Sequence, residues 1–259
     1  MARYKVILTY DGTEFQGFQR QVKVRTVQAS VESALRAIGW QNSTILAAGR
    51  TDTGVHASGQ VIAFDYEWNH SPEELRNALN ANLPEDVSAR SVEPVGIDFH
   101  PRFSATARRY RYRIFCDNVR HPLRERYAWR VWPPVSIDVL QEIATHFVGR
   151  HDFSAFGTPP QPGGSTVRQI FTSTWLNDEL ELTFEILGNA FLYHMVRRLV
   201  SFQVEVGQGK RRHRDVSDIL GGKQKESIQG LAPASGLILV EVLYPPNDGG
   251  NEIELGNNS

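Results

Sequence analysis

The chain predicts an α+β fold. Two ferredoxin-like halves, each β-α-β-β-α-β with a mainly antiparallel sheet and helices on one side, would leave an active-site cleft between them. Three observations carry this. Period-two apolar alternation and helix-period stripes follow one another in the same order twice along the chain. Turn residues punctuate them at short intervals. The 259 residues are 41% hydrophobic and 22% charged, enough apolar material for a core and too little charge for disorder.

The first half, residues 1–104, opens on a strand in which Tyr4, Val6, Leu8 and Tyr10 alternate with mostly polar neighbours. Thr26 then caps a helix to about Ile38, with Val27, Val31, Leu35 and Ile38 at helical spacing. Strands follow near Ile45–Ala48 and Val61–Phe64. Ser71 as N-cap and Pro72 in the first turn open a second helix, which Leu83–Pro84 ends. Val87–Val95 closes the unit as a strand.

The second half, residues 105–246, repeats the order. Arg108–Phe115 reads as a strand, and Ile137–Val148 as a helix with Ile137, Leu140, Ile143, Ala144 and Phe147 on one stripe. Val167–Leu176 and Leu180–Leu187 form a hairpin across Asn177–Asp178. A long helix from Ala190 to about Val206, a short one at Asp215–Leu220 and a strand at Gly236–Tyr244 complete it. The Gly/Pro-rich stretch from Gly157 to Ser165 reads as a mobile surface loop, and residues 247–259 as a disordered tail.

Composition narrows the class. No apolar run approaches the length of a membrane helix, and no charged-then-apolar leader precedes the first strand. The sole cysteine, Cys116, excludes an internal disulfide framework and any multi-cysteine metal site, so a cytoplasmic protein is expected. Net charge is only −1, yet nine arginines between Arg102 and Arg130 face just Asp117 and Glu125. A second basic run spans Lys210–Arg214. Segregated arginine of this kind suggests a phosphate-backbone footprint and hence RNA or DNA.

The segment Gly49–Arg50–Thr51–Asp52–Thr53–Gly54–Val55–His56 falls between two predicted strands with glycines at both ends. Asp52 beside Arg50 suits a carboxylate that must stay ionised to act as a nucleophile. On its residues alone, a tight turn stapled by an Arg–Asp pair is the simpler reading. Asp52–Thr53–Gly54 also spells the triplet of aspartic proteases, but the chain holds one copy, and an adjacent arginine would keep both carboxylates of a dyad ionised. Strand alternation puts Tyr110 and Tyr112 on one face and Arg109, Arg111 and Arg113 on the other, which reads first as a core face and an exposed face. Arg197 lies among Phe191, Leu192, Met195, Val196, Leu199 and Val200, so a carboxylate partner is expected for it, with Asp52 the candidate.

Five segments together resemble the signature of the TruA-type tRNA pseudouridine synthases: 10–21, 49–57, 107–112, 188–197 and 236–239. The likeness covers residues 1–246 in the expected order. Two positions depart from the pattern: Phe18 stands where the family usually has tryptophan, and Thr53 where it usually has alanine. The resemblance implies isomerisation of uridine to pseudouridine at positions 38 to 40 of tRNA, by a homodimer needing no metal or cofactor. It implies Asp52 at the reacting centre, acting at the ribose, and Arg197 as its ion-pair partner. Arg50 would make a second contact to Asp52 or bind a flanking phosphate. Tyr110 would stack on the target base and Leu237 lie against it, with Arg108 and Arg109 holding the RNA. A non-catalytic RNA-binding module of the same doubled fold is the alternative, and a glycosidase, needing a second carboxylate, comes third.

Overall fold

The computed structural model describes residues 1–221 and 228–246; the tail expected at 247–259 lies outside the described residues. Ten strands join in one sheet: β1 (Ala2–Tyr10), β2 (Leu46–Ala47), β3 (His56–Tyr66), β4 (Val87–Val95), β5 (Ala107–Cys116), β6 (Trp129–Val131), β7 (Gly149–Asp152), β8 (Val167–Asp178), β9 (Glu181–Gly188) and β10 (Leu237–Leu243). Among the described residues six α-helices accompany them: α1 (Val27–Ala37), α2 (Pro72–Asn82), α3 (Pro122–Glu125), α4 (Ile137–Thr145), α5 (Met195–Gly207) and α6 (Asp215–Leu220). Among the described residues no helix is long and apolar enough to cross a membrane.

The strand order β4-β1-β3-β10-β5-β9-β8-β7, with β2 beside β3, contains the same pattern twice. The four main strands of each half lie in the order fourth, first, third, second: β4-β1-β3-β2 and β10-β5-β9-β8. This is the expected pair of ferredoxin-like units, mostly antiparallel, fused edge to edge where β10 runs parallel to β3 at Ile238–His56 and Leu239–Ala57. Tyr4, Val6, Leu8 and Tyr10 of β1 pack with Val27, Val31 and Leu35 of α1 and Leu75 and Leu79 of α2. Tyr112, Ile114, Phe184 and Ile186 pack with Leu140 and Ile143 of α4 and Leu199, Val200 and Phe202 of α5. Leu237 belongs to the second core and Leu239, two residues on, to the first. Both point to one face of β10, so the helices of the two halves cover the same face of the sheet.

Local signals explain most boundaries. Thr26 accepts from Ala29 N–H at the start of α1, and Ser71 and Glu74 form a reciprocal capping box at α2. Four expectations are corrected. The β8–β9 turn falls at Glu179–Leu180 rather than Asn177–Asp178, because the buried pair Trp175–Phe184, rings 5.2 Å apart, sets the register; Leu180 is left exposed. The helix assigned from Ala190 begins only at Met195, because the preceding backbone is held extended: Asn189 N–H donates to Gln169 O and Tyr193 N–H to Thr158 O. Regular helix in α4 stops at Thr145, and His146, Phe147 and Val148 continue it as a tighter turn with i→i−3 bonds before Gly149, at φ 111°, opens β7. Finally, α3, β6, β7 and α6 have no counterpart in the first half, so the repeat is a shared core with additions rather than a copy.

The arginine run is not a free basic patch. On the face of β5 away from the helices, Arg109 pairs with Glu241 (2.6 Å), Arg111 with Glu185 (2.5 Å) and Arg113 with Glu181 (2.6 Å). Arg120, Arg124, Arg126 and Arg130 pair with Glu125, Glu181, Asp11 and Glu125. Apart from Glu125, the partners come from β9, β10 and the first loop, out of range of a local count.

Candidate active site

Leu46 and Ala47 of β2 pair with Ala63 and Ile62, while β10 takes the same edge of β3 at His56 and Ala57. The edge therefore forks, and residues 48–55 emerge from the fork as a loop. Val55 N–H donates to Asp52 O (3.1 Å) across a turn whose third residue, Gly54, has φ 77°, the position that favours glycine. The glycine-rich loop after β1 clamps this turn. Phe18 N–H donates to Thr51 O (3.0 Å), Gly54 N–H to Phe15 O (3.2 Å), and the buried Tyr10 hydroxyl pairs with Thr51 Oγ1 (2.8 Å). The backbones are so close that a Cβ at Gly12 would stand 2.0 Å from Val55 O. Asp52 is thus carried on an immobilised loop.

Asp52 meets the opposite half at the N-terminus of α5. Arg197, in the first turn, donates from Nη1 to Asp52 Oδ2 at 3.2 Å and from Nε to Ala232 O at 2.7 Å. The side chains of both are mostly buried, which strengthens the ion pair relative to a surface one. His194 Nε2 stands 3.5 Å from the same carboxylate oxygen. Burial lowers the His194 pKa, and Arg197 and Arg198 lower it further against the opposing pull of Asp52, so the imidazole is neutral near pH 7. The role of His194 was hidden in the sequence by reading helix through residues 190–194; a start at Met195 makes His194 the capping residue beside Asp52.

Tyr110 sits at the seam between the two cores and packs edge-on against Phe191, rings 5.0 Å apart. Burial pushes its pKa up to about 12, with Arg108 opposing and Asp52 adding to the rise, so the phenol keeps its proton. Leu237 is buried across from Tyr112. Arg108 donates to three carbonyls, Asn189 O (2.8 Å), Ala48 O (3.4 Å) and Arg102 O (2.7 Å), tying the Asp52 loop to the segment before α5. Arg109 is engaged with Glu241 on the other face of the sheet. Arg50 is exposed, and among the described residues it makes no hydrogen bond or ion pair, to Asp52 or to anything else. Tyr110, Asp52, Arg197 and His194 are thereby brought together, with Arg108 beneath them, while Arg109 stands apart.

A second polar knot flanks the loop. Asp11 Oδ2 accepts from Arg126 Nη2 (2.8 Å) and from the Tyr127 hydroxyl (2.8 Å), and Oδ1 from Thr13. His56 Nδ1 lies 3.1 Å from Oδ1 and 3.0 Å from Gly12 N. Burial raises the Asp11 pKa, but the hydrogen bonds from Thr13, Tyr127 and Arg126 outweigh it and hold the carboxyl well below the usual range. No three His, Cys, Asp or Glu side chains among the described residues are grouped so as to hold a metal ion.

A carboxylate paired with an arginine of the opposite half, beside a protonated tyrosine, can act at an electron-poor carbon such as a ribose C1′. Comparison with known sequences decides the family: residues 6–104 and 143–245 match the model described as tRNA pseudouridine synthase. The chain belongs to that family. It is similar to tRNA pseudouridine synthase A of Limosilactobacillus fermentum, 41% identical over 94% of this chain and 96% of the relative. The enzyme of the same name from Brevibacillus brevis is 40% identical over 94% of this chain and 100% of its own length. Among solved structures, a chain of a Cbf5-Nop10-Gar1 complex aligns with TM-score 0.35 and 12% identity, over 78% of this chain and 44% of that one, a likeness too remote to bear on function.

Proposed function

We propose that the chain converts uridine to pseudouridine in the anticodon stem-loop of tRNA, at positions 38, 39 and/or 40. Asp52 acts at the ribose C1′, and no cofactor takes part. Family membership carries the tRNA isomerase activity. The observation that supports Asp52 as its centre is the immobilised loop that presents this carboxylate to Arg197 across the fork between the halves. The N-terminal half, 1–104, supplies Asp52 and Arg50. The C-terminal half, 105–246, supplies Arg197, Tyr110, Leu237, Arg108 and Arg109. The target nucleotide leaves the stem to reach the site. The C1′–N1 bond breaks, the uracil turns while held, C5 bonds to C1′, and the proton lost from C5 is balanced by one taken up from solvent at N1. Arg197 pairs with the carboxylate and aims it, and Tyr110 provides an aromatic face to the base. Arg50, exposed and unengaged, is free to meet a flanking phosphate. The working form is a cytoplasmic homodimer.

A non-catalytic RNA-binding module is not favoured, since the curated relatives are enzymes along nearly their full length. The test is tritium release from tRNA labelled at uridine C5. Release by the wild type and loss of at least about 1,000-fold in Asp52→Asn is the expected result. Tight tRNA binding without release by the wild type would overturn the reaction. Equal release by both proteins would overturn the role of Asp52.

A further inference from the structure

The segment before α5 holds a feature that the proposed chemistry leaves unused. Tyr193 is 56% exposed although Leu192 and Met195 on either side are buried, and its ring stacks on His194 with centroids 3.7 Å apart and planes at 29°. An exposed tyrosine alone is ordinary. This one is set by an unusual backbone: His194 adopts φ 65°, in the left-handed region that few residues with a Cβ occupy. The contacts around it are visible. Tyr193 N–H donates to Thr158 O (2.9 Å), Arg198 N–H to His194 O (3.0 Å), and Gly157 passes so close that a Cβ there would stand 2.7 Å from Tyr193 O. This conformation does two things at once. It brings His194 Nε2 to 3.5 Å from Asp52, and it leaves Tyr193 stacked on that imidazole and open to solvent.

We infer that Tyr193 is a stacking platform for the nucleobase next to the target uridine in the RNA strand, joined to Asp52 through His194. This rests on the proposed reaction. When a uridine leaves the stack, its neighbour loses an aromatic partner, and a protein ring can replace it. A flat tyrosine face accepts any base, so the contact aids docking without reading sequence. His194 lies between the two, its ring under Tyr193 and its Nε2 3.5 Å from the carboxylate, which places the platform next to the reacting centre.

The test pairs protein and RNA changes, using tritium release under single-turnover conditions. On intact tRNA, Tyr193→Ala weakens half-saturation by about 5- to 100-fold with little change in the maximal rate, and Tyr193→Phe restores it. The slope of log affinity against log salt stays as in the wild type, because no phosphate contact is removed. On tRNAs made abasic immediately 5′ or 3′ of the target, one of the two loses the same factor with the wild type and loses nothing more with Tyr193→Ala. Full additivity at both neighbours overturns the platform, as does an unchanged half-saturation in Tyr193→Ala. A wild type that releases no tritium from intact tRNA would instead refute the reaction itself, a distinct outcome.

Discussion

In the C-terminal repeat, β8 and β9 meet across the two-residue turn Glu179–Leu180 and pair from Asp178–Glu181 back to Ile170–Gly188. In the N-terminal repeat the same topological connection, β2 to β3, runs from Ala48 to Val55 and carries Asp52. A hairpin that pairs along its whole length leaves no free edge and has no room for a side chain to do chemistry. Shortening β2 to Leu46–Ala47 surrenders most of the β3 edge, and β10 takes part of it. The loop thus loses a partner strand and gains neighbours instead: the glycine-rich 11–18 loop beneath and α5 of the other half in front. One repeat keeps the fold's ordinary hairpin, and the other opens it into a loop that meets its sibling.

If the loop is completed by the opposite half, removing that half's contact must cost more than any change within the loop short of losing the Asp52 carboxylate itself. Arg197→Met leaves Asp52 without its ion-pair partner and Ala232 O without a donor. The expected loss is about 100- to 1,000-fold in the rate of the chemical step, with tRNA affinity little changed. Arg197→Lys recovers only part, because one ammonium cannot reach both Asp52 and Ala232 O. A rate within a few fold of wild type in Arg197→Met would break the comparison.

The next effect tests the clamp beneath the loop. Gly12→Ala puts a methyl 2.0 Å from the backbone oxygen of Val55, where only a shift of the Asp52 loop can relieve the clash. Stability should fall by about 2–3 kcal/mol in urea unfolding, and activity with it. Gly49→Ala is the control, since nothing lies within 4 Å of its Cβ and its φ is not in the left-handed region. It should change stability by less than about 0.5 kcal/mol.

That contrast also marks what a sequence can disclose. Both halves of the fold were legible because burial is periodic: Tyr4, Val6, Leu8 and Tyr10, or Val27, Val31 and Leu35, state their face by spacing alone. Arg197 announced a need for a carboxylate through its apolar neighbours, and Asp52 does stand 3.2 Å from it. Contacts with no local signature were silent. Gly49 and Gly54 bracket the loop, yet the glycines whose absent Cβ admits the backbone of this loop are Gly12 and Gly17, in a different one. The run from Arg102 to Arg130 looked unpaired because Glu181, Glu185, Glu241 and Asp11 are distant in sequence and adjacent only across strands and loops. The turn at Glu179–Leu180 and the late start of α5 were set by tertiary pairing that outweighs local turn and helix preferences.

The Asp11 knot joins equivalent connections of the two repeats, β1–α1 and β5–α4, through Arg126 and Tyr127. A carboxylate whose pKa is depressed on folding contributes stability above its unfolded value, and that contribution is lost as pH falls through the folded value. Asp11→Asn should therefore cost about 1 kcal/mol at neutral pH, a discounted figure because the group is partly solvated. The gap between wild type and variant should begin to close as pH falls through the ordinary carboxylate range and go on closing below it. A gap that is independent of pH down to acid unfolding would show that Asp11 is not held ionised by these contacts.

The smallest effect separates two kinds of arginine that a charge count treats alike. Arg111 faces Glu185 in register across β5 and β9, exposed on the sheet face away from Asp52. Arg50 precedes Asp52 by two residues and is unengaged among the described residues. Arg111→Gln removes half of a surface pair and should change stability by less than about 1 kcal/mol. Its tRNA affinity should keep both its magnitude and its salt dependence, since a guanidinium already neutralised by glutamate releases no counterion from RNA. Arg50→Gln should leave stability alone but weaken binding, and reduce the slope of log affinity against log salt by about 1. Filter binding between low and moderate salt reads both. If the Arg111 variant shifted that slope as much as the Arg50 variant, the ion pair with Glu185 would open when RNA binds, and the ladder on the outer face of the sheet would be part of the RNA surface rather than of the fold.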